Sequence, residues 1–200
     1  MFDAAIRKVI DPALNSAARL ISKTGVSANM LTIFGAVIGC AAAAAIAVRR
    51  YELGLLLILL NRLLDGLDGP LARQNRASEF GGYLDSLCDF LFYVAVPVGF
   101  GISDPANLLP ALILVASFTL TAVSFLAFAA IAARQDTGDG ALGKKAFIYS
   151  TGLMEGTETI LFFVAMCLLP DYFAVLAYCF AGLCALTVLQ RGMMAAKQFS

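Results

Sequence analysis

No histidine occurs in the 200-residue chain. That absence removes the side chain most often used as a general base near neutral pH, and the commonest nitrogen ligand for transition metals. Carboxylates are left as the candidates for both tasks. Charge is scarce as well: 14% of the residues are Asp, Glu, Lys or Arg, against 60% hydrophobic. With a mean hydropathy of +0.85, the chain has too little polar surface for a soluble domain of its length, and it reads as an integral membrane protein. The five cysteines, at 40, 88, 167, 179 and 184, form no CxxC pair and lie inside apolar runs, where free cysteine packs as a small hydrophobe. The N-terminal segment lacks a short apolar core followed by a small-residue cleavage site, so it is read as mature protein. No internal repeat or low-complexity tract is present, and no nucleic-acid partner is expected.

What the chain does contain is apolar helix. A crossing of the bilayer takes about 20 residues, and six stretches are paced accordingly: Ala28 to Val48, Gly54 to Arg73, Phe80 to Gly101, Leu108 to Ala133, Phe147 to Leu169 and Phe173 to Met194. Before them, Ile6, Ile10, Ala13, Leu14, Ala17, Leu20 and Ile21 recur at helical spacing among Arg7, Lys8, Arg19 and Lys23, as in a helix lying in the membrane interface. The expected fold class is all-α integral membrane, with six transmembrane helices preceded by an interfacial amphipathic helix. It forms a single domain over residues 1–200, with the interfacial helix in 1–24 and the bundle in 28–196. Gly35 and Gly39 give the first span a small-xxx-small spacing suited to helix packing.

Basic residues accumulate on the cytoplasmic side of membrane proteins. With six crossings, Arg7, Lys8, Arg19, Lys23, Arg73, Arg76, Arg134, Lys144, Lys145, Arg191 and Lys197 share one side, Arg49 and Arg50 lie on the other, and Arg62 sits within a span. The join between spans two and three therefore opens to the cytoplasm.

That join carries the chemistry. Residues 63–90 read "LLDGLDGPLARQNRASEFGGYLDSLCDF" and hold Asp65, Asp68, Asp85 and Asp89. The short loop from Gln74 to Phe80 makes an antiparallel helical hairpin, in which Asp68 faces Asp85 and Asp65 faces Asp89 at similar depth. Three- and four-residue separations put each pair on one helical face, so four carboxylates surround one small volume. Gly66, Gly69, Pro70, Gly81 and Gly82 flank them, and glycine permits close approach of backbone to a ligand.

An ionised aspartate at the centre of a span costs roughly 3 kcal/mol on insertion scales, and four that converge repel one another. Arg62 and Arg73 offset part of this charge. Two divalent cations would offset the rest, and an all-oxygen ligand set favours Mg2+, Mn2+ or Ca2+ over zinc. Paired metals about 3.5–4 Å apart recur in phosphoryl transfer.

"DGLDGPLAR", seven residues, then "GGYLDSLCD" resembles the signature of the CDP-alcohol phosphotransferase family, D-x2-D-G-x2-A-R, a spacer, G-x3-D-x3-D. Asp65, Asp68, Gly69, Ala72, Arg73, Gly81, Asp85 and Asp89 fill its fixed positions, with a spacer one residue shorter than the usual eight. Asn29 and Thr32 in "SANMLTIFG" are similar to the family's P-N-x-x-T opening of the first span, with Ala28 in place of proline. The resemblance implies transfer of a phosphatidyl group from CDP-diacylglycerol to a small alcohol acceptor, with release of CMP, by a homodimer among membrane lipids. It also implies two divalent cations, Mg2+ or Mn2+, on Asp65, Asp68, Asp85 and Asp89, with Asp89 as the catalytic base. Asn29, Thr32, Gly69, Ala72, Arg73 and Gly81 are the implied CDP and phosphate contacts.

The acceptor is less legible. Arg134, Lys144 and Lys145 beside the loop "RQDTGDGALGKK", and Glu155 and Glu158 in "GLMEGTETI", are the candidate acceptor contacts; the lysines read equally well as topology markers. "LDSLCDFLFYVAVPV" looks locally like phosphatidylcholine and phosphatidylserine synthases and lacks the lysine after the last acid seen in many glycerophosphate enzymes. Glycerol 3-phosphate, giving a phosphatidylglycerophosphate synthase, is the alternative acceptor. A small cation or proton transporter is the non-enzymatic alternative, since intramembrane acids also line ion paths, although here they are confined to one hairpin. The expected location is the inner (cytoplasmic) membrane, with the active site facing the cytoplasm.

Overall fold

Two serines start the helices that frame the acidic hairpin. Ser27 and Ser78 both hold extended backbone, and their hydroxyls accept from the amides of Met30 (3.2 Å) and Gly81 (3.0 Å), completing donors that a first helical turn leaves open. The computed structural model describes residues 3–74, 77–135 and 156–199. Within them the elements are α1 (Asp3–Ser22), α2 (Ala28–Ala47), α3 (Tyr51–Gln74), α4 (Glu79–Ser103), α5 (Leu108–Gln135), α6 (Gly156–Leu168) and α7 (Phe173–Phe199). Short 3-10 turns at Pro105–Asn107 and Pro170–Tyr172 lead into α5 and α7. No strand occurs among the described residues.

Four helical stretches among the described residues are long and apolar enough to cross a bilayer: Ala28–Ala47, Glu79–Ser103, Pro105–Arg134 and Pro170–Phe199. The expected second span is a continuous helix of 24 residues, but its charges keep it from that class. The fifth is described only over Gly156–Leu168. Helix α1 docks on α3 through Leu14, Ala17, Ala18 and Ile21, which pack against Leu31, Leu67 and Leu71, while Ile10 and Leu20 face outward.

Helix α2 packs between α3 and α4, α5 packs against α4 and α7, and α6 against α3 and α7. In lipid, apolar surface gains little by facing another helix, so close approach over small residues holds such bundles together. Gly99 of α4 lies against the α2 backbone so tightly that a β-carbon there would come 2.5 Å from the Ala43 carbonyl oxygen. Gly39 of α2 makes room for Phe92 and Asn61, at 2.9 and 3.2 Å from the same imagined atom. The Gly35 and Gly39 spacing is thus used in helix packing. The interior beyond these contacts is aromatic: Phe100 stacks on Phe173 at 4.5 Å, and Phe118 meets Phe163 and Phe180 edge-on.

Two arginines act as fasteners. Arg49, in the turn between α2 and α3, holds a left-handed φ of 61° and donates to the Ser103 carbonyl (2.7 Å) and to Asp104 (3.1 Å), fastening that turn to the end of α4. Arg191, expected with the cytoplasmic basic residues, is instead 5% exposed and donates to the Thr121 carbonyl (3.0 Å) and the Ser124 hydroxyl (2.6 Å). A guanidinium buried between helices needs such acceptors, so Arg191 ties α7 to α5 and does not mark the surface. Of the cysteines, Cys167 and Cys184 are buried, Cys88 is half-buried, Cys40 and Cys179 face outward, and all are free thiols.

Gly99→Ala is expected to force α2 and α4 apart and to destabilise the protein by about 1–3 kcal/mol. Gly182→Ala, within a helix and with nothing within 4 Å of its added carbon, is expected to cause no loss of stability and to raise it by up to about 1 kcal/mol. Thermal unfolding midpoints of the two variants in detergent, compared with wild type, check both.

Candidate active site

Helices α3 and α4 each pack on α2, and their acids meet across it. Carboxylate oxygens of Asp65, Asp68 and Asp85 all lie within 4.8 Å of one another. Asp68 is 6% exposed and accepts a 2.7 Å hydrogen bond from the Thr32 hydroxyl of α2, which also lies 3.1 Å from the Ala28 carbonyl. Thr32 thereby fixes the most deeply buried member of the group.

Asp89 is placed differently. Its Oδ1 accepts from Nη1 of Arg62 at 2.9 Å, and the same nitrogen lies 3.4 Å from Asp65 Oδ2. Arg62 Nε donates to the Asn61 side-chain oxygen Oδ1 (2.8 Å), and the Asn61 side-chain amide Nδ2 donates in turn to the Gly35 backbone carbonyl of α2 (2.8 Å). The guanidinium carbon sits 4.3 Å from the centre of the Phe92 ring and 5.8 Å from that of Tyr93, within the range of cation–π attraction.

Above the acids opens a cleft of about 380 Å³. The first turns of α2 and α4 border it, with α3 along its side, and Asp68 and Asp85 lie at its inner wall. All six residues expected as CDP and phosphate contacts, Asn29, Thr32, Gly69, Ala72, Arg73 and Gly81, line this cleft. Gly81 fits closely, since a β-carbon there would lie 3.0 Å from the Asn29 side-chain oxygen and 3.2 Å from the Ser78 hydroxyl, and those side chains would have to give by a few tenths of an ångström. Amides at helix N-termini carry partial positive charge and suit anions, so the mouth favours phosphate and the inner wall favours cations. A smaller void of about 10 Å³, the size for one water or ion, lies deeper among Thr32, Asn61, Arg62, Asp65, Asp68 and Cys88.

Among the candidate acceptor contacts, Arg134 is exposed near the end of α5 and Glu158 is 8% exposed in the first turn of α6. Lys144, Lys145 and Glu155 lie outside the described residues. Sequence reasoning passed over Asn61 and the serine caps Ser27 and Ser78. The buried carboxamide had no signal in sequence beyond being a polar residue in an apolar run. The serines carried the ordinary capping signal.

Three carboxylates so close together, with no nitrogen or sulfur ligand in the group, fit a hard divalent cation such as Mg2+ or Mn2+. Arg62 offsets part of the charge of the four acids, and a divalent cation of that kind would offset more of it.

The sequence pattern of the CDP-alcohol phosphatidyltransferases matches residues 25–190. The chain belongs to that family and is an enzyme, a membrane-embedded transferase of phospholipid biosynthesis; the family is metal-dependent. It is 44% identical over 192 residues to the Escherichia coli inner membrane protein YnjF, covering 96% of this chain and 93% of that one. It is also 32% identical over 95 residues to the archaetidylinositol phosphate synthase of Pyrococcus horikoshii, a match to 47% of this chain and 50% of that one. Crystal structures of the phosphatidylinositol phosphate synthase of Mycobacterium tuberculosis share the fold. The form with bound CDP-DAG superposes with a TM-score of 0.64 at 23% identity, over 89% of this chain and 90% of that one. The form with manganese and citrate gives 0.64 at 22% identity, over 89% and 86%.

Thr32→Val removes the donor that orients Asp68 while keeping the side chain's shape. It is expected to weaken Mn2+ binding about 10- to 100-fold, the usual effect of losing a hydrogen bond that orients a metal ligand. Titration of Mn2+ followed by electron paramagnetic resonance, without substrate, is the check.

Proposed function

We propose that the enzyme transfers a phosphatidyl group from CDP-diacylglycerol to the hydroxyl of a small polar alcohol, releasing CMP. The observation that carries this reading is the group of three aspartates at the inner wall of a cleft bordered by two helix N-termini. The acids would hold divalent cations and the helix N-termini present backbone amides, and both suit a pyrophosphate. A fold shared with a structure that contains CDP-DAG supports the choice of donor.

Asp65, Asp68 and Asp85, with Asp89 at the edge, would hold two divalent cations, Mg2+ or Mn2+, which would supply positive charge against the diphosphate and its leaving group. Gly69, Ala72 and Gly81 let the nucleotide and diphosphate approach the helices, with Asn29 and Thr32 alongside. Arg73, exposed at the mouth, donates to phosphate. Asp89 takes the proton of the acceptor hydroxyl. That oxygen forms a bond to the phosphorus carrying diacylglycerol, the bond from this phosphorus to the CMP oxygen breaks, and CMP departs in line, without a covalent enzyme intermediate.

Six helices, α2 to α7, cross the bilayer in this reading, and α1 lies in the interface. Arg19, Lys23, Arg73, Arg134 and Lys197 lie on the side of the cleft, with Arg49 and Arg50 opposite, which supports a cleft open to the cytoplasm from the inner membrane. The family resemblance supports a homodimer. Arg134 and Glu158, with Lys144, Lys145 and Glu155, remain the proposed acceptor contacts. The archaeal relative matches under half of the chain, so its acceptor does not carry over.

The test supplies purified protein with CDP-diacylglycerol, Mg2+ or Mn2+, and serine, choline, inositol phosphates and glycerol 3-phosphate in turn. CMP release and one new phospholipid are expected. Cation flux into vesicles without CMP release would replace the reading by a transporter. Asp89→Asn is expected to lower kcat about 10²- to 10⁴-fold, as loss of a general base does, with CDP-diacylglycerol binding retained; unchanged turnover would remove Asp89 from the role of base.

A further inference from the structure

Among the described residues, the side-chain donors of α1 turn back on the helix itself. The Ser16 hydroxyl donates to the Pro12 carbonyl (2.8 Å), and Arg19 donates to the Asn15 carbonyl (3.3 Å) and the Ser16 hydroxyl (3.3 Å). What joins α1 to the bundle is apolar. At about 100° per residue, its side chains fall into three strips. Leu14, Ala18 and Ile21 form the docked strip, with Ala18 0% exposed. Ile10, Ala13 and Leu20 form a second that faces outward, with Leu20 67% exposed. Ser16 and Arg19, with Lys23 just beyond the helix end, form an exposed third, while Asp11 is half-buried on the docked side. Such a helix suits the place where protein, lipid chains and headgroups meet.

The docked strip rests on the acid-bearing turn of α3. Gly66 separates Asp65 from Asp68, and a β-carbon there would lie 3.3 Å from Leu14 Cδ1. Leu67 and Leu71 of the same stretch are buried against Leu14, Ala17, Ala18 and Ile21. Beyond α1, Gly25 turns the chain at a φ of 81°, and Ser27, Ala28 and Asn29 follow at the cleft. Apolar contacts between helices can be exchanged for lipid chains at little cost, so the resting place of α1 depends on what its cationic strip meets. We propose that the strip of Arg19 and Lys23 binds an anionic phospholipid surface, and that α1, so held, keeps Leu14 on Gly66 and steadies the Asp65–Asp68 turn, which makes turnover respond to membrane charge. The effect on turnover rests on the phosphatidyl-transfer reading above; the binding of lipid does not.

The experiment places full-length protein in nanodiscs of phosphatidylcholine alone, and of phosphatidylcholine mixed equally with phosphatidylglycerol. Amide exchange of α1, followed by mass spectrometry, needs no substrate; CMP release at constant Mn2+ reads turnover. In wild type the anionic lipid should slow exchange of α1 by up to about 25-fold, two basic side chains at about fivefold each, and should raise kcat. The double variant Arg19→Gln with Lys23→Gln should exchange equally in both lipids and keep its phosphatidylcholine rate in both. Divalent cation drawn to the anionic surface acts on both proteins alike, so the comparison cancels it. Leu14→Ala keeps the basic strip and opens the contact at Gly66. It should retain the slowed exchange and lose the gain in kcat, which Leu14→Met, refilling the space, should recover.

Exchange of α1 in wild type that ignores lipid charge would overturn the proposal, and so would equal slowing in wild type and the double variant. A full gain in kcat in Leu14→Ala would overturn the link from α1 to the acids. If Leu14→Ala does not fold, Gly66→Ala takes its place, since it crowds the same contact from the other side and should likewise lose the gain. Absence of CMP release from wild type with every alcohol would defeat the function proposed above, and the exchange comparison would still decide whether Arg19 and Lys23 hold α1 to anionic lipid.

Discussion

Negative charge in an oily bundle must be met by positive charge close by. Four aspartates on two neighbouring helices cannot all stay ionised in a bilayer unless their mutual repulsion and lost hydration are offset. The chain does this in two layers. Arg62 serves the deep end of the hairpin, where Asp65 and Asp89 meet it, while Asp68 and Asp85 face the cleft beside Arg73. Divalent cations, on which the family depends, would add positive charge at the cleft.

The acids converge only because the helices approach closely, and that approach is a matter of small residues. Gly99 meets a backbone carbonyl of α2, and Gly39 admits a carboxamide and a phenyl ring. A hydrogen bond between helices in lipid contributes about 0.6–2 kcal/mol, so the bond from Asn61 to Gly35 is modest as a stabiliser. Its larger effect is to set the height and rotation of α3 against α2, on which the positions of Asp65 and Asp68 depend.

Much of this was legible in the residues. Apolar runs paced at a bilayer's width gave the helices, and the three- and four-residue spacing of the aspartates on a short hairpin put Asp65, Asp68 and Asp85 together. What escaped is tertiary. Arg62 looked like partial compensation because nothing local reveals that Asn61 and Phe92 hold it, or that Asp89 is its partner. Arg191 looked like a topology marker because basic residues near helix ends usually are, and its burial depends on acceptors supplied by a different helix, α5. Asn61 had no motif to recommend it. The acceptor residues were the least legible, since recognition of a small polar molecule is assembled from segments far apart in the chain.

The turn at Arg49 has a mechanical consequence. It fastens α2 and α3 to the end of α4 farthest from the cleft, and no comparable polar fastener is described between the first turns of α2 and α4 at the mouth. Helices joined at one end separate by pivoting, and leverage grows with length. Over roughly 30 Å of helix, a swing of about 5° at the fastened end moves the free end by about 2.5 Å. Asp68 and Asp85 lie about 17 to 18 residues, or roughly 27 Å, from that fastened end, so the same swing would shift their carboxylates by about 2.3 Å, and the spacing of the acids depends on how firmly the far turn is held.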